Sequence, residues 1–140
     1  GISFGAVGAA RACYEAALQY SQQRIQFGKP LAKFQVVQER LAQMLADLTA
    51  MQLYCRWMAD LETAGDLRPT QASLAKFHNT RAARRIASTA RDLLGGNGIL
   101  LEIGVIFNDA ATAEIHTYEG TESVQALLIG RDITGMSAFV

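Results

Sequence analysis

Large apolar residues recur every three or four positions along most of this chain, which is the spacing of one face of an α-helix. The clearest series alternates steps of three and four and consists of Phe34, Val37, Leu41, Met44, Leu48, Met51, Cys55 and Met58. The charged residues of the segment fall off this stripe, as solvent-facing residues should: Glu39, Arg40, Asp47 and Asp60. This pattern predicts a long helix packed on one face, and Gly65 is expected to end it.

A helix is also predicted before this segment, from about residue 4 to Ile25. Its larger apolar residues lie near one stripe, namely Phe4, Val7, Tyr14, Leu18 and Ile25. It is also rich in glycine and alanine, which let a neighbouring helix approach closely. The segment Phe27-Gly28-Lys29-Pro30 is expected to stop it, because Gly28 permits a positive φ and Pro30 disfavours the α conformation at Lys29.

Three more helices are predicted in the second half of the chain. The third runs from about Thr70 to Leu94 with Pro69 suited to its first turn, and a run of glycines follows it. A short fourth helix is expected over about 101–113, and a last one from near Glu119 through Ile133. No segment alternates with period two. The expected fold is therefore all-α, an antiparallel up-down four-helix bundle plus a short extra helix, forming one domain over residues 1–140.

The amino-acid composition makes some classes of function less favoured. Thirteen basic residues balance thirteen acidic ones, so the net charge favours neither nucleic-acid nor membrane-surface binding. The basic third helix is interpreted as a solvated face, or one that meets acidic partners. Cys13 and Cys55 fall in helical patterns and are expected to be free, buried thiols. His78 and His116 have no ligand-like neighbours in sequence, so no metal site is expected.

Three segments could carry chemistry. In Tyr118-Glu119-Gly120-Thr121 a carboxylate stands near a helix start, where it can serve as a base beside an apolar cavity or merely favour the helix N-terminus. The segment Gly95-Gly96-Asn97-Gly98 could present backbone amides to a ligand, or form a helix stop and turn. Arg24 and Phe27 pair a guanidinium with an aromatic ring, suited to a phosphate and a flat ring, or to a surface ion pair and a core contact.

The combination and order of these motifs resemble the acyl-CoA dehydrogenase family. The motifs are Arg-x-x-Phe-Gly-x-Pro at Arg24 to Pro30, Leu-Gly-Gly-Asn-Gly at Leu94 to Gly98, and Tyr-Glu-Gly-Thr at Tyr118 to Thr121. The ending, Gly130 to Phe139, looks most like the glutaryl-CoA dehydrogenase branch. The resemblance implies the C-terminal helical domain of such an enzyme, with the N-terminal helical and middle β-domains absent from this chain.

The resemblance also implies residue roles. Glu119 corresponds to the base that removes the α-proton of an acyl-CoA, with Tyr118 and Gly120 beside the substrate. The residues that match FAD-contacting positions are Arg24, Phe27, Gln35, Asp92, Leu93, Leu94, Gly95, Gly96, Thr121 and Phe139. Arg24 and Phe27 would reach the FAD of a neighbouring subunit. Many relatives have glutamine where this chain has Ser123, which puts one flavin contact in doubt.

Partners and location follow from the same resemblance. It implies an acyl-CoA substrate, an electron-transfer flavoprotein as acceptor, and a dimer of dimers in the cytoplasm of a bacterium or in a mitochondrial matrix. The isolated chain is expected to bind FAD poorly and to be inactive. Glutaryl-CoA with decarboxylation is one candidate reaction. An acyl-CoA oxidase of the same fold and a non-catalytic helical assembly module remain alternatives.

Overall fold

Four α-helices account for most of the residues that the structure describes. The computed structural model describes residues 2–99, 104, 105, 108 and 120–138. Within them the helices are α1 (Ile2–Gln23), α2 (Gln35–Ala64), α3 (Pro69–Leu94) and α4 (Glu122–Thr134). Short 3₁₀ turns follow at Leu31–Lys33, before α2, and at Gly95–Ile99, after α3. The all-α prediction is confirmed. Most of the short helix expected over 101–113 lies outside the described residues.

Helix α2 has the buried face that its sequence predicts. Its fully buried residues all belong to the predicted stripe: Val37, Met44, Leu48, Met51 and Cys55. Gly65 ends the helix in the left-handed conformation, with φ of 76°. The Gly65 N–H donates to the carbonyl of Glu62, and the Asp66 N–H donates to that of Leu61. These bonds satisfy carbonyls that the helix itself leaves unpaired.

Helix α1 differs from its prediction in length and in its buried face. The helix ends at Gln23, and both Phe4 (52%) and Ile25 (56%) are largely exposed. The buried face consists instead of small residues: Ser3, Ala6, Ala10, Cys13, Ala17 and Ser21. This face packs most extensively against α3, whose contributions to the same core are mainly alanines at 82, 83, 87 and 90. The small side chains, rather than the large ones, decide which face of α1 is buried because they let the two backbones come close.

A tight hairpin follows α1, where the sequence predicts no strand. Strands β1 (Ile25–Gln26) and β2 (Lys29–Pro30) pair antiparallel, with Ile25 opposite Pro30. The two turn residues both have positive φ, 53° at Phe27 and 79° at Gly28. Positive φ at both positions is the signature of a type I′ turn, whose twist matches that of the paired strands. The hairpin closes in two residues and turns the chain toward α2.

Helix α3 begins at Pro69, as predicted, and the Gln71 side chain accepts a hydrogen bond of 2.8 Å from the Arg68 N–H. The expectation that its basic residues form a solvated face is wrong for Lys76, which is only 7% exposed. Among the others, Arg85 pairs with Asp47 of α2 at 3.4 Å. No helix in the described part of the chain is long and apolar enough to span a membrane.

Helix α4 packs against α3 and begins later than predicted, at Glu122. The expected start near Glu119 is wrong, because Gly120 has φ of +96° and cannot be helical. Thr121 is the residue before the first turn, and its hydroxyl oxygen accepts a 3.4 Å hydrogen bond from the Val124 N–H. The helix therefore starts at Glu122, and Glu119 precedes it by three residues.

Candidate active site

Gly120, two residues before the start of α4, has little free space where a side chain would be. A Cβ atom at Gly120 would come within 2.7 Å of the Nε2 atom of Gln125, whose side chain is buried. Thr121 is exposed, so its side chain faces outward while it caps the helix. Tyr118 and Glu119 lie outside the described residues. The structure thus defines the chain path directly after Glu119, at the point where helix N–H groups are unpaired and favour negative charge.

Two cationic side chains of α3 contact the residues at the start of α4. The Lys76 Nζ donates a hydrogen bond to the carbonyl oxygen of Gly120. One and a half turns further on, Arg81 pairs with Glu122 at 3.0 Å, and its guanidinium carbon lies 4.9 Å from the centre of the Phe77 ring. The first residues of α4 are therefore fixed to α3 by a buried ammonium and by a partly exposed ion pair.

Sequence reasoning did not assign Lys76 or Gln125 to the site. The position of Lys76 on α3 indicates that it is buried. Asn79, Thr80 and Ala83 follow it by three, four and seven positions, on the same helix face, and all three are buried. A lysine in register with a buried helix face needs a partner for its charge. That pattern identifies a lysine with a structural or functional task, although not which carbonyl it meets.

A cavity of about 350 Å³ adjoins the start of α4. All four described helices contribute to its lining, including Phe4 of α1, Met58 of α2, Lys76 of α3 and Gln125 of α4. Its walls mix apolar side chains with a few polar ones, as ligand cavities do. The Lys76 ammonium and the buried side-chain amide of Gln125 therefore both line this cavity.

The residues predicted to contact FAD near the hairpin lie at the opposite end of the bundle. Arg24, Phe27 and Gln35 are exposed, Phe27 to 86%. Among the described residues, no side chain forms an ion pair or hydrogen bond with the Arg24 guanidinium. An unneutralised guanidinium beside an exposed aromatic ring suits a ligand that carries both a phosphate and a flat ring system.

The end of α3 meets this hairpin edge. Asn97 Nδ2 donates to the Tyr20 hydroxyl at 3.2 Å, and the Arg24 N–H donates to the Tyr20 carbonyl at 2.8 Å. Of the residues predicted here, the exposed ones are Asp92, Gly95 and Gly96, whereas Leu93 is half-buried and the Leu94 side chain belongs to the core. Any contact of Leu94 with a ligand is therefore made by its backbone.

The two groups of predicted site residues are far apart within one chain. Lys76, beside Gly120, and Asp92, near the hairpin, are 16 residues apart on α3. At 1.5 Å per residue this separation is about 24 Å. A single flavin ring cannot contact both groups in one chain. Thr121 and the hairpin residues therefore belong to separate parts of the surface.

Other reactive side chains of the described residues are structural. Burial raises the pKa of the Cys55 thiol, an effect that a hydrogen bond from Asn79 partly opposes, so the thiol remains protonated at neutral pH. His78 stacks on Tyr54 with 4.4 Å between ring centroids and contacts the Asn79 amide. The described part of the chain contains no group of three or more side chains arranged to hold a metal ion.

These features define a helical bundle domain with candidate ligand contacts at both ends. Residues 1–134 match the family described as acyl-CoA dehydrogenase, C-terminal domain. The chain belongs to the acyl-CoA dehydrogenase family and corresponds to its C-terminal domain.

Known relatives agree with this assignment. The chain is 35% identical over 135 residues to a probable short/branched chain specific acyl-CoA dehydrogenase of Dictyostelium discoideum, covering 95% of this chain and 32% of that protein. It is similar to the crystal structure of glutaryl-CoA dehydrogenase from Mycobacterium smegmatis, with a TM-score of 0.98 and 42% identity over 100% of this chain and 36% of that one.

A second structure of a Mycobacterium smegmatis glutaryl-CoA dehydrogenase, in complex with FADH2, gives a TM-score of 0.97 and 41% identity, again over 100% of this chain and 36% of that one. The chain thus spans about a third of the length of these relatives. The hairpin of the first motif and the described residues of the third, Gly120 and Thr121, lie at opposite ends of the bundle.

Proposed function

We propose that this chain is the C-terminal domain of an FAD-dependent acyl-CoA dehydrogenase in which Glu119 is the catalytic base. The observation that carries the proposal is the glycine turn at Gly120, directly after Glu119 and before the first turn of α4. This turn brings the chain to a helix start with unpaired N–H groups, next to a cavity that all four described helices line. Such a place favours an anionic base and a developing oxyanion.

The proposed chemistry begins with proton removal. The Glu119 carboxylate takes the α-proton of the acyl-CoA thioester. The backbone N–H of Glu119 donates to the thioester carbonyl, so that the negative charge developing on that oxygen is stabilised. Gly120 has no side chain, which lets the acyl chain pass close to the backbone. FAD, when bound, supplies the acceptor for the hydride that leaves the β-carbon.

The exposed residues of the chain fit FAD. Arg24 offers a guanidinium without an intrachain partner among the described side chains, and Phe27 offers an open ring beside it. Thr121 lies at the Lys76 end of α3 and the hairpin lies near its Asp92 end. These two positions are about 24 Å apart along the helix, so Thr121 would contact a different FAD molecule or a different part of one. We therefore propose that the hairpin edge serves the FAD of a neighbouring subunit, in a dimer of dimers. FADH2 in the glutaryl-CoA dehydrogenase structure supports this choice of cofactor.

Glutaryl-CoA is the proposed substrate, with decarboxylation after dehydrogenation, and an electron-transfer flavoprotein is the proposed acceptor. The support is the likeness to glutaryl-CoA dehydrogenase, at 42% identity. Release of CO₂ from glutaryl-CoA, and slow turnover of butyryl-CoA, would support this substrate. Anaerobic reoxidation of the reduced enzyme by an electron-transfer flavoprotein would support the acceptor, whereas rapid peroxide formation in air would indicate an oxidase.

The test of the base uses the full-length protein that contains this chain. Glu119→Gln keeps the size of the side chain but removes its basicity, and should slow flavin reduction by acyl-CoA by about 10²- to 10⁴-fold or more. The matched control is Glu39→Gln, the same chemical change on the exposed side of α2, which should leave the rate unchanged. Unchanged flavin reduction in Glu119→Gln would reject the proposal and favour a non-catalytic assembly module.

A further inference from the structure

A hydrogen bond between two side chains joins the two parts of the surface that is proposed to contact FAD at the hairpin end of the bundle. The Asn97 Nδ2 atom donates to the Tyr20 hydroxyl at 3.2 Å, in a partly buried position. Asn97 belongs to the 3₁₀ turn Gly95–Ile99 after α3, and Tyr20 lies in the last turn of α1. The bond therefore connects two helix ends, each of which leads into residues with predicted FAD contacts.

Tyr20 is a firm point of attachment, because its side chain packs against the core of the bundle. Its backbone carbonyl accepts a hydrogen bond of 2.8 Å from the Arg24 N–H. The Arg24 carbonyl in turn accepts one of 2.9 Å from the Leu31 N–H, where the chain returns from the hairpin. Arg24 therefore has a backbone that is bonded on both sides and a side chain that is exposed.

The turn after α3 is costly to order by itself. Three of its five residues are glycine, which loses more conformational freedom on folding than any other residue. Gly98 is buried, and a Cβ atom there would overlap the Arg91 carbonyl, so this part of the turn lies directly on α3. The glycines at 95–96, which carry the predicted FAD contacts, are exposed. Asn97 lies between these two parts, and its bond to Tyr20 ties the turn to α1 as well.

We propose that the hydrogen bond between Asn97 and Tyr20 positions the glycine turn for FAD, so that the turn and the Arg24 guanidinium can contact one cofactor molecule together. The inference rests on the proposed function, since it assigns FAD to this edge. Asn97 and Tyr20 are positioning residues, and neither is proposed to contact the cofactor. They act by holding the protein in the arrangement that binds FAD before FAD arrives.

The size of the effect follows from the population of that arrangement. When only a fraction of the protein can bind FAD, the apparent dissociation constant rises by the inverse of that fraction. A hydrogen bond between two neutral groups shifts such an equilibrium by about three- to tenfold. Loss of the bond should therefore weaken FAD binding by about three- to tenfold. The rate of flavin reduction per bound FAD should stay unchanged.

The experiment uses the full-length holoenzyme and compares Tyr20→Phe, Asn97→Ala and the double variant. Tyr20→Phe removes only the hydroxyl oxygen. Tyr14→Phe is the matched control, because Tyr14 lies on the same helix, packs partly buried against the same core, and makes no hydrogen bond within the described part of the chain. The dissociation constant of FAD is obtained from the FAD released on dilution. The thermal midpoint and the rate of flavin reduction are measured at saturating FAD.

Tyr20→Phe and Asn97→Ala should each raise the dissociation constant of FAD by about three- to tenfold, while Tyr14→Phe matches the parent. The double variant should bind FAD within about twofold of the weaker single variant, because both changes remove the same bond. The inference is overturned if the two effects multiply. It is also overturned if the thermal midpoint falls while FAD binds as in the parent, which is the result of a purely structural role.

Arg24→Gln separates this inference from the proposed function, because it removes the guanidinium proposed to contact FAD. If Arg24→Gln weakens FAD binding by about tenfold or more and Tyr20→Phe does not weaken it, the proposed contact stands and the positioning role alone fails. If Arg24→Gln binds FAD like the parent, the proposed cofactor surface at the hairpin fails first. If Asn97→Ala does not fold, the comparison of Tyr20→Phe with Tyr14→Phe decides.

Discussion

Gly120 lies so close to Gln125 that a Cβ atom on the glycine would stand 2.7 Å from the Nε2 atom of that side chain. The Nε2 atom is the far end of a flexible side chain, so this contact alone can be relieved by a small movement of the glutamine. The φ of +96° at Gly120 is a second constraint, because side chains other than that of glycine are strained there. The backbone conformation is therefore the main reason that glycine is required at position 120, and the contact with Gln125 adds to it.

Gly120→Ala should cost about 1–3 kcal/mol of stability, the usual cost of holding an L-residue in such a conformation. In the full-length enzyme it should also slow flavin reduction by about tenfold or more, because relief of the strained φ at position 120 would change the direction of the chain next to the proposed base. Thermal unfolding of the chain and rapid-mixing absorbance of the flavin measure the two effects.

Gly130→Ala is the control for that substitution. Gly130 lies inside α4, and a Cβ atom there meets nothing within 4 Å. Alanine in a helix interior is favoured over glycine by about 1 kcal/mol, so this variant should be slightly more stable and fully active. Equal stability of the two variants would show that the Gly120 turn tolerates a side chain and is not a fixed part of the site.

The sequence predicts α2 well and α1 poorly, for one physical reason. In α2 the buried positions are the large apolar ones, such as Met44, Leu48 and Met51, so hydrophobic spacing marks the core directly. In α1 the buried positions are alanines and serines, which the spacing of large residues does not reveal. Phe4, which begins the predicted stripe, is 52% exposed and lines the cavity beside α4.

The sequence points to candidate site residues only where they form contiguous motifs. The Tyr-Glu-Gly-Thr and Arg-x-x-Phe-Gly-x-Pro segments are visible as motifs, and Gly28 has the positive φ expected of it, whereas the positive φ of Gly120 was not predicted. The contact between Lys76 and Gly120 joins residues 44 positions apart, so no local pattern contains it. The delayed start of α4 depends in the same way on the conformation of one glycine.

Because α1 packs closely on α3 through small side chains, a larger side chain at this contact should destabilise the protein. Ala10 is fully buried in the core that both helices share. Ala10→Leu adds three carbon atoms where the small side chains leave no space, and should destabilise the 140-residue chain by about 1–3 kcal/mol or prevent its folding. Denaturant unfolding followed by circular dichroism measures the loss.

Gly8→Ala is the matched change on the exposed side of the same helix. A Cβ atom on Gly8 meets nothing within 4 Å, so alanine should raise the free energy of unfolding by about 0.5–1 kcal/mol. The two variants should move the denaturation midpoint in opposite directions. A stable Ala10→Leu variant would mean that α1 and α3 can separate without loss, against the packing described above.

The hairpin turn at Phe27 predicts a conflict between stability and cofactor binding. Phe27 has φ of 53°, a conformation that costs a bulky residue about 1–3 kcal/mol and suits asparagine in a type I′ turn. Its edge contact with Phe34, at 6.4 Å between centroids, contributes less than this strain, about 0.5 kcal/mol for a ring that is 86% exposed. Phe27→Asn should therefore stabilise the 140-residue chain by about 0.5–1 kcal/mol, as a rise in thermal midpoint.

The same substitution removes the ring proposed to meet FAD, so the full-length Phe27→Asn protein should retain less FAD after purification, measured as the ratio of flavin to protein absorbance. Phe27→Tyr keeps both the ring and the strained turn, and should match the parent in FAD content and in thermal midpoint. A parent-like FAD content in Phe27→Asn would remove this ring from the cofactor site. A lower thermal midpoint would instead show that the ring stabilises the turn more than the positive φ strains it.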